Sequence, residues 1–207
     1  RKALDELDIA LKLFPEEPGT IEKIGDTFHA LGRYDSAAKE YQKALVFTPD
    51  SAEINTKLAM IEESKNEADK LVKSARSLID RKKYKSAQAV LKKALKLKPD
   101  HKEAKYNLYI ATGHQFARNG KVGSLWDAIE QYGLASALKP ELAEPHYYMG
   151  LSYHRKDKKE YENAFREFET AVEIEPGSKY AKLSQEKLND EQRRKKLLED
   201  FWNKGKK

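Results

Sequence analysis

The 207 residues carry 39% hydrophobic and 36% charged side chains, which is enough apolar matter for a core and excludes a disordered tail; helices with wet outer faces account for the charge. The absence of cysteine excludes a disulfide framework, a thiolate metal site and a cysteine nucleophile, and no window approaches the roughly 18 uninterrupted apolar residues of a membrane span. Of the net charge of +6, the segment Lys179 to Lys207 supplies +5, with ten Lys and Arg against five Asp and Glu; a charged terminal helix of this kind reads as a solvated face, which disfavours nucleic acid as the partner.

In chain order, five helix-like runs each close at a proline: Pro15, Pro49, Pro99, Pro140 and Pro176. Twelve residues before each stand Ala3, Ala37, Ala87, Ala128 and Ala164, and five before stand Ala10, Ala44, Ala94, Ala135 and Ala171. Eight before stand Leu7, Tyr41, Leu91, Tyr132 and Phe168, and two before stand Leu13, Phe47, Leu97, Leu138 and Ile174. Ten alanines at ten equivalent places make an internal repeat. Its physics is a helix pressed closely against neighbours along one stripe. Small residues let backbones approach, larger apolar ones fill the gaps, and proline stops the helix for want of an N–H.

These residues resemble the tetratricopeptide repeat (TPR) family, whose units of about 34 residues are helix hairpins. The resemblance implies an all-α fold, a right-handed superhelical α-solenoid of antiparallel helix hairpins with a C-terminal capping helix. Residues 1–17 match only a second helix, so the chain is read as starting mid-repeat, with a first helix and any signal segment upstream. Residues 18–51 form the cleanest unit, with Ile21, Ile24, Gly25 and Phe28 in the first helix and Leu31, Gly32 and Tyr34 at the turn. Residues 52–101 hold the next, with Leu71, Ser74, Ala75, Leu78 and Tyr84 at family positions. Residues 102–142 form a unit lengthened by seven, assigned to the loop at Gly120 to Gly123, and residues 143–178 a last one with Met149, Gly150, Tyr153 and Tyr161. Residues 179–207 are a capping helix and basic tail.

Three departures stand out. Proline spacings of 34, 50, 41 and 36 leave sixteen extra residues before the second full unit. The stripe Ile54, Leu58, Ile61, Lys65, Ala68, Val72, Ala75 and Ile79 reads as one helix from about Ser51 to Asp80, roughly 45 Å long and overhanging its hairpin; the alternative is a break at a Ser64/Glu67 capping box. Tyr109 falls where the family places Gly or Ala between paired helices, which predicts a splayed or repacked third unit, and Trp126 is read as a staple after a Ser124 cap. Past the capping segment, Leu197, Leu198, Phe201 and Trp202 form an apolar tip suited to fold-back or self-association into a homo-oligomer.

Chemistry finds no anchor. His29, His101, His114, His146 and His154 are scattered without a metal-binding spacing, so no metal or other cofactor is called for. Gly120-Lys121-Val122-Gly123 lacks the length and the lysine of a P-loop, and no nucleophile elbow occurs. The chain is accordingly read as no enzyme. In the family, first helices line a concave groove. Carried over position by position, this implies Glu22, Asp26 and His29; then Asp69, Val72, Arg76 and Asp80; then Glu103, Tyr106, Ile110, Gly113 and His114; then Glu144, Tyr147, Leu151, His154 and Arg155. That groove is acidic at one end and aromatic at the other, with Tyr106, Ile110, Tyr147 and Leu151 as an expected hot spot. The acidic and aromatic residues do not match the family's two-cation, two-asparagine carboxylate clamp. The function implied is a scaffold that binds a peptide or helix of another protein; the alternative is an assembly protein held to itself or to an envelope surface by the long helix and the apolar tip. Both cytoplasm and periplasm suit such a soluble chain.

Overall fold

The computed structural model describes residue 9, residues 17–156 and residues 161–204, with side chains as far as 196 except at 195. The segment 1–16, apart from Ile9, and the tip residues Leu197, Leu198, Phe201 and Trp202 therefore lie outside the described side chains. Within them the protein is all-α and TPR-like. Nine helices follow in order: α1 Pro18–Ala30, α2 Tyr34–Phe47, α3 Ala52–Asp80, α4 Tyr84–Leu97, α5 Lys102–Asn119, α6 Val122–Leu138, α7 Ala143–Lys156, α8 Tyr161–Ile174 and α9 Lys179–Lys204. The chain divides into two compact units, one holding the residues up to 77 together with 89–104, the other 78–88 together with the residues from 105 on.

In the first unit, α1 packs on α2. The core joins Ile21 to Ala37, Tyr41 and Ala44, and the front of α3 closes it with Ile54 and Ile61. Gly25 is dictated by packing, because a Cβ there would stand 2.6 Å from Tyr41 Cε1. The same exchange recurs in the second unit. Gly113 faces Tyr132 at 2.4 Å and Gly150 faces Phe168 at 2.6 Å by the same measure. At the equivalent places of the α3–α4 hairpin stand Ala75 and Leu91, both fully buried, a smaller ring-free partner beside a side chain one methyl larger.

Helix α3 runs unbroken for 29 residues. Ser51 caps its start, its Oγ accepting from the Ile54 N–H at 3.3 Å, and Ser64 begins no second helix. Six positions of the stripe, Ile54, Ile61, Ala68, Val72, Ala75 and Ile79, are buried, so the extension is a packed element and not an overhang. Hydrophobic burial of this kind outweighs helix propensity as the reason for its length.

The third hairpin corrects two expectations. Its seven extra residues are not in a loop: only Gly120 and Lys121 separate α5 from α6. The helices themselves are longer, 18 and 17 residues against 14 in both α7 and α8. Because α5 starts one turn early, Gly113 and not Tyr109 meets the second helix, and the hairpin closes without splaying. Val122 opens α6 after Lys121, which places Ser124 inside the first turn and not at a cap. Trp126 is 45% exposed, edge-on to Tyr153 at 6.0 Å with Lys156 Nζ 3.5 Å from its ring centre. Finally α9 packs on α8 and α7, burying Ala181 and Ser184.

Candidate functional site

The acidic end of the expected groove is matched from within. Lys57, on the front of α3, reaches Glu22 at 2.7 Å, Asp26 at 2.9 Å and Glu53 at 3.1 Å. Asp26 also accepts a 2.6 Å hydrogen bond from the Tyr41 hydroxyl. Burial pushes the Lys57 ammonium down, but its three carboxylate partners outweigh burial and lift it well above the usual lysine range. Burial also raises the Asp26 carboxyl, and the Tyr41 and Lys57 contacts reverse that to a net lowering. His29 is exposed and stacks on Tyr34, ring centres 4.9 Å apart. On α3 itself Val72 is buried, Asp69 holds the His101 ring at 2.9 Å, Arg76 is half-buried and Asp80 exposed.

Two members of the expected hot spot are core. Tyr106 is 2% exposed and Ile110 0%, because the early start of α5 turns them from the groove face to the packed face. Tyr106 donates a 2.9 Å hydrogen bond to Glu144, and Tyr180 donates another at 2.7 Å. Glu144, itself buried, is thus the acceptor at the centre of a tyrosine cluster, and removing it would take a charged acceptor from both hydroxyls. Tyr147 is half-buried, its ring near those of Tyr148, Phe168 and Tyr180. His154 is exposed against Tyr161. Glu103 is half-buried.

Once the third unit is counted from Gly113, Ala117 and Arg118 reach the surface and His114 lies buried beneath them. These converge with α7 and the α3–α4 turn on a cleft of about 590 Å³, lined by Arg81, Lys82, Tyr84, His114, Ala117, Arg118, Tyr132, Tyr148, Leu151, Ser152 and Arg155. Its floor is aromatic and fixed. His114 Nδ1 and the Tyr132 hydroxyl are 2.8 Å apart, and the His114 ring sits edge-on to Tyr148 at 4.3 Å and tilted to Tyr84 at 5.2 Å. Burial raises the Tyr132 and Tyr84 hydroxyls, against a pull from Arg118 in the latter case, so both stay neutral donors at ordinary pH. Arg155 Nη1 donates to the Ala117 carbonyl at 2.9 Å. Of the residues expected from sequence, His114, Leu151 and Arg155 are brought together here. Sequence reasoning missed Arg81, Lys82, Tyr84, Arg118 and Tyr148; the signal available was Gly113, the small residue that fixes the register of α5.

His146 bridges Ser136 at 2.8 Å and Glu167 at 2.7 Å. Among the described residues no group of three His, Asp or Glu is placed to share a metal ion, and no helix is long and apolar enough to cross a membrane.

Comparison with known proteins agrees with the repeat geometry. Models described as TPR repeat and tetratricopeptide repeat match residues 25–61 and 71–101. The human protein O-mannosyl-transferase TMTC1 is 25% identical over 187 residues, 82% of this chain and 21% of that protein. The DnaJ homolog subfamily C member 3 homolog of Dictyostelium discoideum is 28% identical over 110 residues, 53% of this chain and 21% of its own length. The chain therefore spans about a fifth of each of these relatives. Among solved structures, yeast Tom70 superposes with a TM-score of 0.50 at 17% identity, covering 95% of this chain and 44% of that one, which shows the shared fold. With two units recognised by repeat models and small-against-large packing repeated from hairpin to hairpin, the chain carries tetratricopeptide repeats on an all-α TPR-like fold.

Proposed function

We propose that the chain is a non-catalytic protein–protein interaction scaffold that docks a peptide or helix of a partner on the face formed by α5 and α7. The observation that carries this is the cleft around His114: an open concavity of about 590 Å³ with a rigid aromatic floor and a charged rim. Rigid aromatics offer contact area at small entropic cost, and a preformed cleft spares the ordering that a flexible surface must undergo. Scaffolding is the general role of this fold. The name of the human relative as a transferase belongs to a protein of which this chain spans 21%, and we assign no transfer chemistry to the segment.

Leu151 is half-buried on the cleft wall and is the residue to change. Selection of a random peptide library on the protein should yield binders whose affinity drops about tenfold or more on Leu151→Asp, the range of a minor hot spot. Peptides that bind wild type and Leu151→Asp equally would move the docking site elsewhere on the surface.

A further inference from the structure

The charge around the cleft is local. Residues 1–178 together carry only +1 of the net +6, yet Arg81, Lys82, Arg118 and Arg155 rim one cavity and no Asp or Glu lines it. Among the described residues Arg81, Lys82 and Arg118 form no ion pair with a carboxylate. Helix C-termini attract cations in general, and Arg155 is accounted for in that way by its bond to the Ala117 carbonyl. Lys82 is not.

Lys82 holds φ +59, the left-handed region, in a non-glycine residue. At the same point of the α1–α2 turn stands Gly32, φ +69. The two turns are closed by the same pair of backbone bonds: Gly32 N–H to His29 O and Arg33 N–H to Phe28 O, both 2.9 Å, and Lys82 N–H to Ile79 O and Lys83 N–H to Leu78 O, both 2.8 Å. Glycine is the stable choice for this conformation. A lysine there holds strain that the turn does not require, and strain of this kind collects at binding sites.

We propose that the cleft seats carboxylate side chains of an acidic segment of the partner, with Lys82, Arg81 and Arg118 as the anion-binding rim over the Tyr84 and Tyr148 rings. The proposal rests on the docking role assigned above and names its chemistry. A peptide is favoured over nucleic acid because the cations ring a single cavity while the body of the chain is nearly neutral, and a phosphate backbone needs an extended basic track. Aromatic faces beside the rim suit acidic residues interleaved with tyrosine or leucine.

Fluorescence anisotropy with three labelled probes tests it: a peptide alternating Glu and Tyr, its Gln/Tyr counterpart, and an oligouridylate of equal length. The Glu/Tyr peptide should bind at least about tenfold tighter than the Gln/Tyr one, and binding should weaken as salt rises. Arg81→Gln and Arg118→Gln should each weaken it about threefold, the range of exposed charge pairs. Lys82→Gly should weaken it similarly while raising the denaturant midpoint, so the loss cannot be assigned to unfolding. Equal affinity for the two peptides, indifference to the rim variants, no binding of either peptide, or tighter binding of the oligouridylate would each overturn the acidic assignment. The docking role itself is judged apart, by the library selection and Leu151→Asp: neutral peptides lost on that variant would keep the role and remove only its chemistry.

Discussion

At the scale of single residues, hairpins close by exchanging volume. Where the second helix offers Tyr41, Tyr132 or Phe168, the first offers glycine, and where it offers Leu91 the first has Ala75. Adding one methyl at Gly150 should therefore cost about 1–3 kcal/mol by overpacking against Phe168. Gly150→Ala combined with Phe168→Leu, which copies the Ala75 and Leu91 pairing, should recover part of that loss in chemical denaturation. Additive losses in the double variant would show that the two sites do not share one space. The small-residue code was legible because close backbone approach tolerates few side chains. Which residue of α5 obeys it was not, since counting back from Pro140 fixes only the second helix and the first had changed length. Lys57 was hidden for a different reason: a cation 35 residues along the chain from Glu22 leaves no local trace of the carboxylates it will serve.

At the scale of elements, α3 is where sequence left two options and the structure takes one. A helix broken at Ser64 would place Lys65 in the first helical position, where proline is well tolerated. In the continuous helix Lys65 is interior, its N–H bonded to the turn before. Lys65→Pro should then destabilise the protein by about 3 kcal/mol or more, with Lys65→Ala as a nearly neutral control. A proline variant as stable as the alanine one would mean a break. The stripe from Ile54 to Ile79 was readable because burial on one face repeats with the helix; what could not be read was that its front half packs with Ile21 and Tyr41, since the partner surface comes from an earlier repeat.

At the scale of the whole molecule, buried tyrosine sets the alkaline limit. Burial raises the hydroxyls of Tyr41, Tyr132 and Tyr180, while in the unfolded chain they ionise near pH 10. A group whose folded value is raised contributes stability that is complete below the unfolded value and lost as pH rises through the folded one. Of the eleven tyrosines, Tyr41, Tyr132 and Tyr180 should ionise only above the unfolded value, together with loss of helix by circular dichroism. A single phenolate wave near pH 10 with helices intact would contradict their burial.

The third hairpin bears on how such a chain can lengthen at all. Its two helices exceed those of the fourth by four residues and by three, each close to one turn of 3.6. An insertion of that size advances the chain along its axis by one pitch and returns the side chains to nearly the same azimuth, so Gly113 still finds Tyr132. One or two residues would rotate the whole face by about 100° or 200° and bring charge to the seam. Growth in this architecture is quantised by the turn, and gaps of three or four between related chains can leave the interface between helices intact.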